Sequence, residues 1–506
     1  MATMVIVVNA KALEQKYGER ATEVWRAVDD LIAADADRGI QTQLVKLDDP
    51  EVPGTGSPIP LDADCSAIKD AIDAIFQARR PDYLMLLGGP DLLPHCELQN
   101  PAPGDGDAIV PSDLPYACEA PCSTKAADFI APTRVVSRTP DVPGATDPDV
   151  LINELRVATT WTSRSRKRYE PYLGVTAEVW MGSTRLSLTQ LYGNASAMQV
   201  SPPDGPDWEA ASLGHLSHFG NLHGAQRSSQ YYGQHGSSYP VAHDASVVEG
   251  RLEDGTVAAF EACYGGELFE SNPQPAMPFA YLGSGAYGFF GSTTIAYGPT
   301  NGNDYADVIC RLFQSSILNG ASIGRAGLEA RQEYVAQSTP LDPVDLKTLA
   351  QFLVLGNPAA QPALSPSQTV DPGISLEGSE AAQMEAHIAQ APARREGLFA
   401  KGMALREVAS WAEPLAGEPS TEIVSALREL SSVPSGGEAT VTSFSLSGGA
   451  QAHAMAVVAG TPPEPATMHL LVQQIEHEEA PMPQRVAVIA LEASGQLISV
   501  KTAVTK

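Results

Sequence analysis

Short aliphatic runs alternating with helix-like stretches constrain this chain more than any other feature. Val5 to Val8, Thr42 to Leu47 and Tyr83 to Leu87 have the length and composition of strands, and Ala21 to Ala34 and Ala67 to Ala78 carry helical spacing between them. Strands separated by helices need crossover connections, which favour parallel pairs with helices packed on the sheet. Residues 1–165 are therefore expected to form an α/β layer. Within it, Gly88 to Ala131 reads as an unusually long loop, Arg134 to Arg138 as a strand and Asp149 to Ser163 as a helix.

A second α/β round is expected over residues 166–360. Its strand candidates are Val175 to Trp180, Leu213 to Leu222, Val257 to Cys263 and Gly288 to Gly291; its helix candidates are Ser187 to Tyr192, Tyr305 to Leu318, Ala321 to Ala336 and Asp345 to Phe352. A Pro/Ser/Gln-rich linker is expected over 361–376. Residues 377–506 read as a separate α+β module: helix-like from Gly378 to Ser431, then alternating runs at Ala439 to Leu446, Ala452 to Val458, Met468 to Gln474 and Val486 to Val500. No repeat of fixed period is visible.

Charge excludes some functions. With 32 Lys+Arg against 60 Asp+Glu the net charge is −28, so an electrostatic grip on nucleic acid or anionic lipid is not expected. No run reaches the ~18 apolar residues of a membrane span, and the first residues lack the basic lead of a signal peptide, so a cytoplasmic location without membrane insertion is expected. Cys65, Cys96, Cys118, Cys122, Cys263 and Cys310 are too sparse for a disulfide scaffold and read as scattered free thiols. Zinc is not expected at His95, Cys96, Cys118 and Cys122, whose spacing is irregular, and no nucleotide loop follows Gly88-Gly89-Pro90-Asp91.

Two strand ends carry the chemistry. His215-Leu-Ser-His-Phe-Gly-Asn-Leu-His-Gly224 ends an apolar strand in an imidazole followed by glycine, and Thr256-Val-Ala-Ala-Phe-Glu-Ala-Cys-Tyr-Gly-Gly266 ends another in a thiol followed by glycines. Carboxyl ends of strands are where open α/β sheets hold their sites, and a thiol near an imidazole is what nucleophilic cysteine catalysis requires. Glu261 lies two residues before Cys263, on the same face of a regular strand. It is a candidate for orienting His223 or touching substrate, the alternative being a carboxylate at a solvated strand end. His215, His218, His235 and His243 read as structural or surface residues.

His-Gly after one apolar strand and Ala-Cys after the next resembles the caspase-like clan of cysteine peptidases (clan CD). Asp82-Tyr-Leu-Met-Leu-Leu-Gly88, Pro111-Ser-Asp-Leu-Pro-Tyr-Ala117, Thr133-Arg-Val-Val-Ser-Arg138, Tyr281 to Thr293 and Phe352-Leu-Val-Leu-Gly-Asn-Pro-Ala359 are similar to its gingipain-type branch. Asn357 stands where that branch commonly has Asp. The resemblance implies a caspase-like three-layer sandwich of two side-by-side subdomains with mainly parallel sheets, only the second catalytic. It implies a cysteine endopeptidase, a hydrolase working through a His223/Cys263 dyad, with Gly224 and Cys263 N–H groups as the oxyanion donors and no cofactor or metal. Ser292, Thr293, Thr294 and Tyr297 would be substrate-binding residues of the S1 pocket, and Asp304, Glu267 or Glu178 would supply charge for a basic P1 residue. The implied partner is a protein or peptide substrate, a pore-forming or other defence effector among the candidates, cut by a regulated processing protease. The rival readings are a catalytically silent scaffold and a peptide ligase using the same thiol.

Overall fold

The first rounds fold as their patterning predicts. In the computed structural model, which describes residues 1–49, 58–270, 274–364, 380–431, 438–447, 466–475, 479–493 and 495–506, β1 (Ala2–Val8), β2 (Ile40–Lys46) and β3 (Tyr83–Leu87) alternate with the helices Ala21–Asp37 and Cys65–Arg79. Asp64 opens the second helix by accepting the backbone N–H of Ala67. β1 pairs in parallel with both β2 and β3, and its Met4 to Val8 are buried.

The expected loop after Gly88 contains structure of its own, an antiparallel ribbon of β4 (Cys96–Gln99) and β5 (Ile109–Ser112). Its length has a topological cause. β6 (Val136–Thr139) runs parallel to β3, so the chain must return along the sheet before β6 begins. Arg138 pins this excursion. Buried on β6, its guanidinium donates to Asp113 Oδ2 at 2.8 Å and Oδ1 at 2.6 Å, and to the carbonyls of Gly88 at 2.8 Å and Leu93 at 2.7 Å.

Two expectations about cysteine change. Cys65 and Cys96 are not free thiols but are joined by a disulfide, with Cα atoms 5.1 Å apart, tying the helix Cys65–Arg79 to the ribbon. Such bonds persist in oxidising surroundings, so this pair weighs against the reducing compartment expected from cysteine number. Opening it with a reductant should lower stability by about 2–4 kcal/mol, the range for a loop of this size; denaturant unfolding with and without the reductant, set beside Cys65→Ser, measures the difference.

The second round supplies β7 (Tyr172–Ala177), β8 (Met198–Ser201), β9 (Ser217–Asn221), a small ribbon of β10 (Gln230–Tyr232) and β11 (Val241–Asp244), then β12 (Val257–Glu261), β13 (Gly288–Ser292), the short β14 (Tyr297–Gly298) and β15 (Phe352–Leu355). The strand expected at Val175 to Trp180 begins three residues earlier and gives way to a 3-10 turn, and the strand expected at Leu213 to Leu222 is confined to β9, its first residue Leu213 closing the helical turn Ala210–Leu213. Both rounds join in one ten-stranded sheet of order β2-β1-β3-β6-β15-β13-β12-β9-β7-β8. Every neighbouring pair is parallel except β13–β15, so the two halves run in opposite directions. Alternate residues of β12 enter different cores. Val257 and Ala259 pack with Ile309, Phe313 and Ile323, whereas Ala258 and Phe260 pack with Met277, Ala280 and Tyr281, so helices cover both faces.

The C-terminal strands form a separate antiparallel sheet: β16 (Ser410–Pro414), β17 (Ala439–Ser447), β18 (Thr467–Ile475), β19 (Gln484–Ala493) and β20 (Gln496–Thr505). Leu427 of the helix Thr421–Ser431 packs on Leu471, Val486 and Val488. The expected single run from Val486 to Val500 is two strands, because the chain reverses at Gly495, whose φ of +77° suits glycine. The strand expected at Ala452 to Val458 and most of the expected linker lie outside the described residues. Among the described residues no helix is long and apolar enough to cross a membrane.

Candidate functional site

β9 and β12 are neighbours with Asn221 opposite Glu261. Carried two residues on, that register sets His223 against Cys263. The backbones meet there: a methyl group on Gly224 would overlap the carbonyl oxygen of Cys263 and lie 3.1 Å from its nitrogen. Glycine at 224 is a steric condition for the approach of the two strand ends. His223 and Cys263 are both buried. The His223 ring packs 4.3 Å from Trp180 and 5.0 Å from Tyr239, and its Nε2 lies 2.8 Å from Gln234 Oε1. Cys263 Sγ lies 3.3 Å from the N–H nitrogen and 3.5 Å from the carbonyl oxygen of Ala296. Burial pushes the Cys263 thiol up to about 12, against a smaller opposing pull from the Ala296 N–H.

Tyr264 follows with a φ of +55°, a left-handed conformation that costs a non-glycine residue about 1 kcal/mol or more. Its surroundings hold it there. Its N–H donates to Thr294 O at 3.0 Å and its hydroxyl to Asp107 Oδ1 at 2.6 Å. Asp107 also accepts from Ile295 N–H at 2.9 Å and pairs with Lys347 at 2.7 Å. Delivered by the long excursion after β3, Asp107 thus holds Tyr264 and Ile295, the chain neighbours of Cys263 and of Ala296. Asp107→Ala should cost about 1–3 kcal/mol through the donors left unpaired; chemical unfolding measures the loss, with Asp107→Asn expected to recover part of it.

A peptide segment already crosses this site, and it is the chain's own. β20 continues past its module to pair antiparallel with β14, Thr505 opposite Tyr297 and Val504 opposite Gly298. Lys506 N–H then donates to Ala296 O at 3.0 Å, and Lys506 O accepts the N–H of Cys263 at 3.1 Å. The Lys506 side chain enters a closed pocket. Its Nζ lies 2.6 Å from Asp307 Oδ1, 2.9 Å from Asn221 Oδ1 and 3.0 Å from Glu261 Oε2, and 5.0 Å from the Trp180 ring centroid. Burial would lower the ammonium's pKa, but Asp307 and Glu261 outweigh it and hold the group charged. Glu261 is pushed well above the ordinary carboxylate range by burial and by Asp307. Glu261 therefore keeps its proton, and Glu261 Oε1 and Asp307 Oδ2 have no other hydrogen-bond partner.

The other expected site residues are distributed as follows. Glu261 is not at a solvated strand end but buried in this pocket. Tyr297 lends its backbone to the pairing with β20. Ser292 Oγ donates to Thr294 O at 2.8 Å, Thr293 Oγ1 to Pro111 O at 2.7 Å and Thr294 Oγ1 to Gln351 Oε1 at 2.6 Å, so these three side chains brace the turn after β13. Thr293 and Thr294 also line an open cleft of about 480 Å³ beside Tyr264, with Asp107, Gln226 and Glu267. Of the candidate charges, Asp304 pairs with Lys501 at 3.3 Å, Glu267 accepts the Arg227 N–H at 2.6 Å and Glu178 meets His235. None of the three touches Lys506. Asn221 and Asp307, which do, carry no expectation from the sequence, although Asn221 precedes His223 by the same two-residue step that singled out Glu261.

His218, His243 and His95 have structural partners. Tyr281 OH lies 2.9 Å from both His218 Nδ1 and His243 Nε2, and burial pulls the two rings down to about 3 and about 4, which keeps them neutral. His95 is 2.9 Å from Asp113, Cys118 is 3.3 Å from Phe129 O and Cys122 is exposed. Among the described residues no group of three or more His, Cys, Asp or Glu is arranged around a metal position. No protein-family model matches the chain, and neither the curated proteins nor the solved structures contain a match.

Proposed function

We propose that this chain is a cysteine endopeptidase of the caspase-like type, with His223 and Cys263 as its dyad. The observation that carries the reading is the peptide segment lying in β-pairing across the site, with a carbonyl oxygen 3.1 Å from the N–H nitrogen of Cys263. A substrate in the same position presents its carbonyl carbon to the thiol and its oxygen to that N–H, which stabilises the oxyanion together with Gly224 N–H. Cys263 forms the acyl-enzyme as the thiolate, His223 delivers the proton to the departing amine, and water then releases the acyl group. Substrates are protein segments able to lie extended along β14, in keeping with a processing protease that acts on particular chains.

Peptide acyloxymethyl ketones test the reading, since they alkylate an activated thiol set beside a bound peptide. Intact-mass measurement should find one adduct, absent from Cys263→Ala and sharply reduced in His223→Ala. The probe is offered to the native chain and to Lys506→Gly. A folded Lys506→Gly protein that gains no adduct from any P1 side chain would overturn the proposal.

A further inference from the structure

The geometry points to a lysine-selective pocket built from Glu261, Asp307, Asn221 and Gly298, kept closed by the chain's own Lys506 acting as an intramolecular substrate mimic. This inference rests on the endopeptidase reading and names the substrate side chain and the regulation of that site. Three acceptors, Asp307 Oδ1, Asn221 Oδ1 and Glu261 Oε2, stand 2.6–3.0 Å from one nitrogen. That number matches the three donors of an ammonium group. Arginine presents five donors on a longer planar fork. Room for it is lacking, because the wall opposite is backbone: a methyl group on Gly298 would overlap Lys506 Cε and lie 2.6 Å from Nζ. A neutral stem of equal length would leave the acceptors unpaired, and one of them is charged.

The occupant makes contacts that a bound substrate would make. Its backbone extends β14, its N–H reaches Ala296 O, its carbonyl oxygen reaches Cys263 N–H and its side chain fills the pocket. Lys506 and Cys263 are both wholly buried in this arrangement. A second peptide cannot occupy β14 until residues 504–506 withdraw.

The test uses fluorogenic peptides that differ only at P1, as Lys, Arg, norleucine or Asp, with the full chain, Lys506→Gly and Lys506→Gln. Lys506→Gln removes the charge but keeps part of the apolar stem, and serves if Lys506→Gly does not fold. The expected result is at least tenfold faster hydrolysis by the opened variants than by the native chain, with Lys preferred over norleucine by about 100-fold or more and over Arg by at least tenfold. Gly298→Ala in the opened chain should move the preference from Lys toward Ala. Equal rates for native and opened chains, or a preference for norleucine or Asp, would overturn the inference while leaving the endopeptidase intact. Binding separates the opposite case. Calorimetry of the peptide Ala-Val-Thr-Lys with Cys263→Ala/Lys506→Gly should find binding that the norleucine peptide lacks, even if no variant hydrolyses anything. Equal binding of the two peptides would sink the pocket assignment.

Discussion

Cys263→Ala is expected to lower kcat/KM for a Lys-P1 peptide by about 10⁴-fold or more, measured in the Lys506→Gly background so that the cleft is open. Removal of the nucleophile leaves the Cys263 and Gly224 N–H groups in place, so binding survives and kcat carries the loss. His223→Ala should fall nearly as far, and the double variant no further than the worse single one, because thiol and imidazole act as a unit. Additive losses would mean that the two residues contribute separately and would count against a dyad. The native chain adds a pH test. Its buried thiol is pushed up to about 12, so alkylation by iodoacetamide should still climb at pH 10, whereas solvent admitted to the cleft in Lys506→Gly should bring the plateau to lower pH.

Arg138→Met is expected to cost about 3–5 kcal/mol of stability, as does breaking a buried ion pair by removing one partner. The loss has two parts, an Asp113 carboxylate left without its cation and two carbonyls, of Gly88 and Leu93, left without donors. Arg138→Met with Asp113→Leu should cost less than the sum of the singles, since no buried charge then remains. Acid titration offers a second readout. Burial alone would raise Asp113, but Arg138 and His95 outweigh it and hold the carboxyl well below the usual carboxylate range. A carboxyl depressed in the folded state stabilises the fold above its unfolded pKa of about 3.9 and loses that contribution as pH falls below it. Native protein should therefore lose more stability than Asp113→Asn between pH 5 and pH 2, followed by unfolding at each pH.

How much of this was legible in the sequence follows from the range of the interactions involved. Strands such as Tyr83–Leu87 are local and apolar, and their limits could be read directly. His223 and Cys263 were legible because each ends a recognisable strand followed by glycine, and the parallel register does the rest. The pocket was half legible. Glu261 follows from strand parity, and the same parity applied to the other strand would have found Asn221. Asp307 sits at the start of the helix Ala306–Leu318, and no local pattern links a helix start to two strands. The neighbouring acids chosen instead, Asp304, Glu267 and Glu178, are already engaged by Lys501, Arg227 and His235. Lys506 was not legible at all. Its role depends on a hairpin at Gly495 and on a pairing with β14 across some two hundred residues of sequence.

That pairing also fixes how the closed cleft responds to amount. A blocking segment carried on the same chain as the thing it blocks has a local concentration set by its tether, of millimolar order for a short flexible link. Diluting the protein therefore leaves the closed fraction unchanged, and raising its expression does not close it further. A free substrate competes only if it approaches that local concentration or if something else draws β20 away. If residues 504–506 open and close as proposed, the resting state is a ratio of two conformations that does not depend on protein concentration.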